Sequence, residues 1–338
     1  MSALAAPTAM AELPALLDAG SFAQLRSAAV PVVIRDLMAD WPAVEAGKKG
    51  GEAIVAYLKS LGSIKPVGAI AAPHHAGGRF FYNDDLSGMN FTRGQGQLEM
   101  FLDDLLRADG MPDAPSLAVQ SETIAEIMPG FTQANRFDLL PHVQPRIWIG
   151  NAIRVAPHYD VKENLAICTA GRRRFTLFPP EQIANLYPGP FESTPAGTPV
   201  SMVDLHAPDL GKYPRFAQAM EHAQTATLEP GDAIYIPYCW WHAVESLDPV
   251  SILVNYWWTE AAMEGAGGPY DALLHALMAL RPLPPEQREI WRTWFDYYVF
   301  EKSGDPAQHL PPHAQGVIGP SSPERFQMMR QILRQILG

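Results

Sequence analysis

The residues best suited to chemistry are two histidines and one aspartate in two separate segments of the chain. His158 and Asp160 are separated by a single residue, and His242 follows much later, directly after two tryptophans. Two imidazoles and one carboxylate can occupy one face of an iron(II) ion and leave the opposite face open to a cosubstrate and dioxygen. These residue types therefore predict a metal centre suited to oxygenase chemistry.

The local sequence decides whether these three residues can meet at one ion. On an extended strand, His158 and Asp160 project from the same face. The alternative is a polar turn in which both side chains form local hydrogen bonds. The second segment favours metal binding, because residues 230–232 read Pro-Gly-Asp and predict a turn into an apolar strand, which Pro237 ends just before His242.

The motifs around these residues are PHYD, GRRRFTLFPPEQIANLYPGP, LEPGDAIYIPYCWWHAVES and VNYWW, preceded by PVVIRDLMADWP and RFFYNDD. With them, residues 30–258 resemble the JmjC and cupin-like family of iron(II)- and 2-oxoglutarate-dependent oxygenases, and within it asparaginyl hydroxylases such as factor inhibiting HIF. The resemblance implies that His158, Asp160 and His242 bind the iron. It also implies a mainly β fold, a double-stranded β-helix of the jelly-roll or cupin-like kind with flanking N-terminal and C-terminal helices.

The resemblance also implies residues that bind 2-oxoglutarate. Arg173 occupies the position of the family's cation for the distal carboxylate, and strand alternation turns it inward with apolar companions. Asn164 and Asn255 match polar groups beside the metal and cosubstrate, and Trp257 matches an aromatic wall. Tyr82 matches a residue near the mouth of the site. The alternatives are a surface Arg173, satisfied sheet asparagines and ordinary core aromatic residues.

Three features differ from the asparaginyl hydroxylases. Val155 stands where those enzymes have a cosubstrate-binding threonine, Arg173 replaces their lysine anchor, and residues 117–120 offer no tyrosine for the same carboxylate. These differences leave the three predicted iron ligands untouched and concern the cosubstrate alone.

The predicted activity is hydroxylation of a peptide or protein side chain, or of a small molecule, with iron(II) as cofactor and 2-oxoglutarate as cosubstrate. Two alternatives stay open, because one barrel can host many functions. The first is a cupin-like protein that binds a metal and a small acid without oxidising anything. The second is a metal enzyme that does not use 2-oxoglutarate. The complete ligand set and the inward cation favour the oxygenase.

Composition limits the class of partner and the compartment. The net charge of −11 disfavours nucleic acid and anionic membranes, whose affinity comes mainly from lysine and arginine. No apolar run approaches a membrane span, and the first residues do not read as a signal peptide. Cys168 and Cys239 lie in apolar or aromatic runs, which predicts buried thiols in a reducing compartment. A cytoplasmic protein is expected.

The pattern of the chain divides into three parts. Residues 1–145 predict a mixed α/β part that packs on the barrel, residues 146–260 the barrel core, and residues 261–338 a helical segment. The last helix has an apolar face that must be covered. Since C-terminal helices pair two subunits in the resembling family, a homodimer is expected; the alternative is packing on the chain's own barrel. The predicted helices are 11–28, 51–61, 97–108, 180–186, 270–280, 285–300 and 323–337, and the predicted strands are 31–36, 79–83, 147–149, 165–168, 173–178, 225–228, 233–236 and 252–258.

Overall fold

The computed structural model describes residues 4–14, 18–259 and 267–337, and the chain divides into two compact units, Met1–Thr259 and Glu260–Gly338. The strands of the first unit are β1 Thr8–Ala9, β2 Ala11–Leu13, β3 Val32–Ile34, β4 Val67–Ala72, β5 Arg79–Phe80, β6 Thr92–Gly96, β7 Ser116–Thr123, β8 Pro145–Gly150, β9 Arg154–Tyr159, β10 Glu163–Ala170, β11 Arg173–Phe178, β12 Gln224–Leu228, β13 Ala233–Ile236, β14 Trp241–Ser246 and β15 Ser251–Trp258. Its α-helices are α1 Ala19–Ala28, α2 Pro42–Lys48, α3 Gly51–Leu61, α4 Leu98–Asp109, α5 Ile124–Ile127, α6 Pro129–Ala134 and α7 Phe216–Glu221, and its 3-10 helices are His74–Ala76 and Pro180–Asn185.

Two sheets build the first unit. A six-stranded sheet has the order β1-β12-β11-β14-β9-β5, and a nine-stranded sheet has the order β2-β3-β13-β10-β15-β8-β7-β4-β6. From β8 onward the strands pass from sheet to sheet, with β8, β10, β13 and β15 in the larger one and β9, β11, β12 and β14 in the smaller one. This is a double-stranded β-helix. The predicted mainly β, jelly-roll fold with flanking helices is confirmed.

The central strands β10, β13 and β15 of the nine-stranded sheet are apolar on both faces because both faces are covered there. Along β10, Leu165 and Ile167 pack into the cluster shared with the N-terminal helices. The alternating residues Ala166 and Cys168 point into the barrel and pack with Phe175 of β11. A strand covered on both sides reads as a continuous apolar run, which explains why β10 is easily recognised in the sequence.

The turn that leads into β13 is anchored by one buried carboxylate. Asp232 accepts hydrogen bonds from the backbone N–H of Asp36 at 2.9 Å and of Glu229 at 3.0 Å. The guanidinium of Arg35 donates to the same carboxylate at 2.6 Å. Asp232 therefore fixes the Pro-Gly-Asp turn to the chain after β3, and this positions the strand that precedes His242.

Gly47 lies where α2 crosses β10, and a side chain has no room there. A Cβ atom at Gly47 would lie 2.1 Å from the carbonyl oxygen of Thr169 and 2.9 Å from the Cβ of Ala170. We expect Gly47→Ala to lower the free energy of unfolding by about 2 kcal/mol, because overpacking a core costs roughly 1 to 3 kcal/mol. Denaturant titration measures the change. Gly94→Ala is the control, since nothing lies within 4 Å of its Cβ position; equal losses would contradict the steric cause.

The structure differs from the sequence-based prediction in the N-terminal part. Residues 11–13, predicted as helical, form β2, which pairs in parallel with β3 at the edge of the nine-stranded sheet. Residues 15–17 of the same predicted segment lie outside the described residues. Strand β7 pairs with β8, so the part before residue 145 and the predicted barrel core share one continuous sheet.

The second unit consists of helices in its described part. These are α8 Pro269–Ala279, α9 Pro285–Tyr298 and α10 Pro323–Leu337, with 3-10 turns at Pro312–Ala314 and Gly316–Ile318. No residue of the three α-helices is buried, and large apolar side chains such as Trp294 and Phe300 are exposed. In the described ranges, no helix combines the length and the apolar character that crossing a bilayer requires.

Candidate active site

The two predicted histidine ligands lie on neighbouring strands. In the antiparallel ladder of β9 and β14, His158 pairs directly with His242, and Asp160 follows the end of β9. The register then shifts, so that Val155 pairs with Val244. A bulge of this kind places one extra residue in β9 and lets Val155 and His158 face the same side of the sheet.

The three side chains converge at one point. One potential ligand atom from each of His158, Asp160 and His242 lies within 4.8 Å of the other two. The imidazole ring centroids are 4.3 Å apart, and the Nε2 of His242 lies 3.5 Å from the Oδ2 of Asp160. The structure therefore brings together the residues predicted from the sequence; that they bind iron remains a prediction.

Backbone carbonyls orient both imidazoles. The Nδ1 of His158 lies 3.0 Å from the carbonyl oxygen of Ala156, and the Nδ1 of His242 lies 3.0 Å from that of Trp240. A carbonyl only accepts, so each Nδ1 carries a proton, and in the neutral ring this leaves the lone pair on Nε2 for a metal. Burial, followed by the nearby His242, lowers the pKa of His158 to about 4. His158 is therefore neutral near pH 7, as a metal ligand must be.

The carboxylate of Asp160 supplies an independent test of whether a metal fits. Its Oδ2 atom is buried and has no hydrogen-bond partner among the described residues, although His242 lies nearby. A buried carboxylate oxygen without a partner is costly unless it is paired or binds a metal. The donor set of two imidazoles and one carboxylate suits a divalent iron ion with open positions. The residues present thus fit the metal that the sequence predicts.

A cavity of about 440 Å³ extends from these three residues between the two sheets. This volume is within the usual range for small-molecule sites. Four of the five residues predicted to bind the cosubstrate line it: Arg173, Asn164, Asn255 and Trp257.

Arg173 is a buried cation at this cavity. Only 5% of the residue is exposed, and its guanidinium donates to the hydroxyl of Ser251 at 2.8 Å. Within the described ranges, no carboxylate forms an ion pair with it, and burial lowers its pKa to about 10. It therefore stays charged near pH 7 without an acidic partner. Its neighbours Arg172 and Arg174 instead pair with Asp248 and Glu245.

Strand register places Arg173 away from the metal ligands. Arg173 pairs with Ser246 of β14, whereas His242 of the same strand pairs with Leu177. Ser246 lies four positions along β14 from His242, or about 13 Å at roughly 3.3 Å per residue. All these side chains share the inner face, because alternate residues of a strand point the same way. A cation at one end of the cavity and a metal centre at the other suit a dicarboxylic acid between them.

Asn164, Asn255 and Trp257 lie on β10 and β15. The side-chain amide of Asn255 donates to the side-chain oxygen of Asn164 at 3.0 Å. The indole N–H of Trp148 donates to the side-chain oxygen of Asn255 at 2.8 Å. The rings of Trp148 and Trp257 meet edge to face, with centroids 5.5 Å apart. From the sequence, Trp148 is predicted only as a strand residue. It alternates with Ile147 and Ile149, which pack in the core shared with the N-terminal helices.

Tyr82 is the predicted site residue that the structure does not bring to the cavity. It is 5% exposed and packs with Phe81, Ala156 and Val200 in a separate cluster. Its hydroxyl is buried without a partner in the described structure. The reason is that β5 ends at Phe80, so Tyr82 belongs to the following loop and not to a strand of the barrel. Its role in cosubstrate binding gains no support from this position.

The cavity is also lined by residues that the sequence did not single out. They are Gln120 and Ser121 of β7, Arg93 of the edge strand β6, and residues 194–197 in the long insert between β11 and β12. No recognisable motif marks these residues in the sequence.

The fold and this site define a protein of the cupin-like, JmjC class of oxygenases. A model of the family described as cupin-like domain matches residues 19–263, and the chain belongs to this family.

Curated relatives share the barrel segment. Human HSPB1-associated protein 1 is 40% identical over 115 residues, which is 33% of this chain and 22% of that protein. Lysine-specific demethylase JMJ31 of Arabidopsis thaliana is 32% identical over 149 residues, or 42% of this chain and 27% of that protein. The chicken tRNA wybutosine-synthesizing protein 5 is 31% identical over 160 residues, which is 43% of this chain and 47% of that protein.

The matched segments span less than half the length of each of these relatives. Among solved structures, Escherichia coli ycfD has 15% sequence identity and a TM-score of 0.43, with 96% of this chain and 68% of that chain covered. These relatives support the family, and they do not confirm the narrower similarity to asparaginyl hydroxylases.

Proposed function

We propose that this protein is an iron(II)- and 2-oxoglutarate-dependent oxygenase that hydroxylates a substrate carbon. The observation that carries the proposal is the convergence of His158, Asp160 and His242, with both imidazoles oriented and one carboxylate oxygen unpartnered. The buried Arg173, which lacks an acidic partner in the described structure, adds a matching site for the cosubstrate.

The protein residues bind, orient and exclude water, while the bound groups supply the oxidising power. When present, iron and 2-oxoglutarate let one atom of dioxygen enter a substrate C–H bond and the other enter succinate, with release of carbon dioxide. His158, Asp160 and His242 would hold the iron. Arg173 holds the distal carboxylate through charge-assisted hydrogen bonds, and the wall formed by Trp257 keeps water from the reacting centre.

A peptide or protein side chain is the substrate that we favour, with a small molecule as the second possibility. One relative is named as a lysine-specific demethylase and so supports a protein substrate. Another is named as a tRNA-modifying protein, but the net charge of −11 opposes binding to a polyanion. Nucleic acid is therefore the disfavoured substrate.

Oxygen uptake and succinate formation test the proposal. The full chain is incubated with iron(II), with and without 2-oxoglutarate, in the presence of a peptide pool. Iron(II)-dependent succinate formation is the expected result. Oxygen uptake that ignores 2-oxoglutarate would identify the alternative metal enzyme. Iron binding without any oxygen uptake would identify a binding protein. Full turnover by metal-stripped protein would contradict metal catalysis altogether.

We also propose that the second unit pairs two copies of the chain. Trp291 and Trp294 lie edge to face on α9 with ring centroids 4.8 Å apart, and Trp294 is 50% exposed. Because exposed apolar patches mark interfaces, we expect dimer mass for the full chain and monomer mass for the variant carrying both Ile290→Asp and Trp294→Asp. Light scattering measures both. Met100→Asp, at an exposed position of α4, should stay dimeric. A monomeric wild-type protein would refute the dimer.

A further inference from the structure

Three side chains of the nine-stranded sheet form a series of hydrogen bonds along the wall of the cavity. The indole of Trp148 on β8 donates to Asn255 on β15, and the amide of Asn255 donates to Asn164 on β10. Asn255 is 1% exposed and Asn164 is 6% exposed. All three residues line the cavity that contains His158.

The indole of Trp148 determines which group donates and which accepts in each of these hydrogen bonds. An indole N–H can only donate, so Asn255 must turn its carbonyl oxygen towards Trp148. The NH₂ group of Asn255 then faces Asn164, whose side-chain carbonyl oxygen accepts the hydrogen bond. The NH₂ group of Asn164 is then left for another acceptor, and Asn164 lines the cavity.

The orientation of Asn164 decides what the cavity offers to an anion. An NH₂ group that faces the cavity donates to a carboxylate oxygen, whereas a carbonyl oxygen in its place would repel one. Without a donor at Trp148, both amides can rotate together and keep their mutual hydrogen bond. The favourable orientation of the Asn164 amide is therefore set by the indole of Trp148 and not by Asn164 itself.

We propose that Trp148 is a positioning residue that keeps the amide donor of Asn164 directed at a carboxylate of the cosubstrate. This inference rests on the proposed function. The backbone carbonyl of Trp148 also accepts from the guanidinium of Arg173 at 3.5 Å. Trp148 thus contacts both Asn255, through its indole, and Arg173, through its backbone carbonyl. It forms no hydrogen bond to the cosubstrate itself in this proposal.

The test removes the indole N–H and keeps an aromatic ring. In Trp148→Phe we expect the dissociation constant for 2-oxoglutarate, measured by calorimetry with manganese(II) in place of iron, to rise about tenfold, as for one lost hydrogen bond to a charged group. Manganese affinity should stay unchanged. Trp41→Phe is the matched control, because the buried indole of Trp41 donates to the carbonyl of Arg136, far from the site in sequence. That variant should bind 2-oxoglutarate like wild type.

A double-mutant cycle shows whether Trp148 acts through Asn164. If it does, Trp148→Phe weakens 2-oxoglutarate binding in the wild-type background and has little further effect in Asn164→Ala. An undiminished effect in the Asn164→Ala background would overturn the proposal, as would wild-type affinity in a folded Trp148→Phe. A wild-type protein that binds manganese but no 2-oxoglutarate would instead overturn the proposed function, and this inference with it.

Discussion

Replacing His158 with alanine should abolish metal binding and lower iron(II)-dependent succinate formation by more than about a hundredfold. The expected loss exceeds that for residues that merely orient a ligand, which cost roughly 10- to 100-fold. His158 is one of three converging groups, and its ring is already held by the carbonyl of Ala156. No other histidine, cysteine, aspartate or glutamate in the described ranges joins this cluster to take its place.

Metal content after anaerobic loading and succinate formation measure this effect. His74→Ala is the matched control, since His74 is a largely exposed histidine 3.8 Å from Asp113. It should leave both quantities unchanged. Removing the ring of His158 also leaves a small cavity, so the melting temperature of each metal-free variant is needed to show that the barrel is intact. A folded His158→Ala protein with normal iron content would contradict the proposal that His158 binds the iron.

The ligand triad was predictable because each ligand sits next to a strong local signal. Residues 230–232 mark a turn, the apolar strand β13 follows, and Pro237 ends it shortly before His242. His158 and Asp160 have the spacing that one face of an extended chain requires. Local signals of this kind survive in any context, and the strands β11 and β13 were predicted at the bounds that the structure shows.

What the sequence did not reveal depends on contacts between distant segments. The bulge that turns Val155 inward arises from the register between β9 and β14, and neither segment shows it alone. The hydrogen bond from Trp148 to Asn255 joins residues far apart in sequence. Similarity around Tyr82 likewise could not show that β5 ends at Phe80 and leaves Tyr82 in the following loop; its role at the site stays a prediction.

Whole-chain charge was also a poor guide to the site. The chain carries a net charge of −11, yet two arginines line the cavity, the buried Arg173 and the exposed Arg93. Long-range attraction follows net charge, whereas recognition at contact follows the few groups that face the ligand. A small acid can therefore bind inside this acidic protein.

The second large effect is expected at Arg173, where function and stability should move in opposite directions. If Arg173 binds the cosubstrate as proposed, Arg173→Met removes its charge-assisted hydrogen bonds to the distal carboxylate, and affinity for 2-oxoglutarate should fall by about a hundredfold or more. Manganese affinity should not change, because Arg173 pairs with Ser246, several residues along β14 from His242. Calorimetry on manganese-loaded protein measures both constants.

The melting temperature distinguishes a cation kept for ligand binding from one kept for the fold. Arg173 is buried, and the described structure offers it no carboxylate, only Ser251 and two backbone carbonyls. Burying an unpaired charge costs free energy, so an apolar side chain of similar length should leave the ligand-free melting temperature unchanged or raise it. Saturating 2-oxoglutarate should then stabilise wild type and not Arg173→Met. Arg174→Met, which breaks only an exposed pair with Glu245, should behave like wild type. If Arg173→Met is instead strongly destabilised and still binds 2-oxoglutarate normally, Arg173 is a structural residue and another group holds the distal carboxylate.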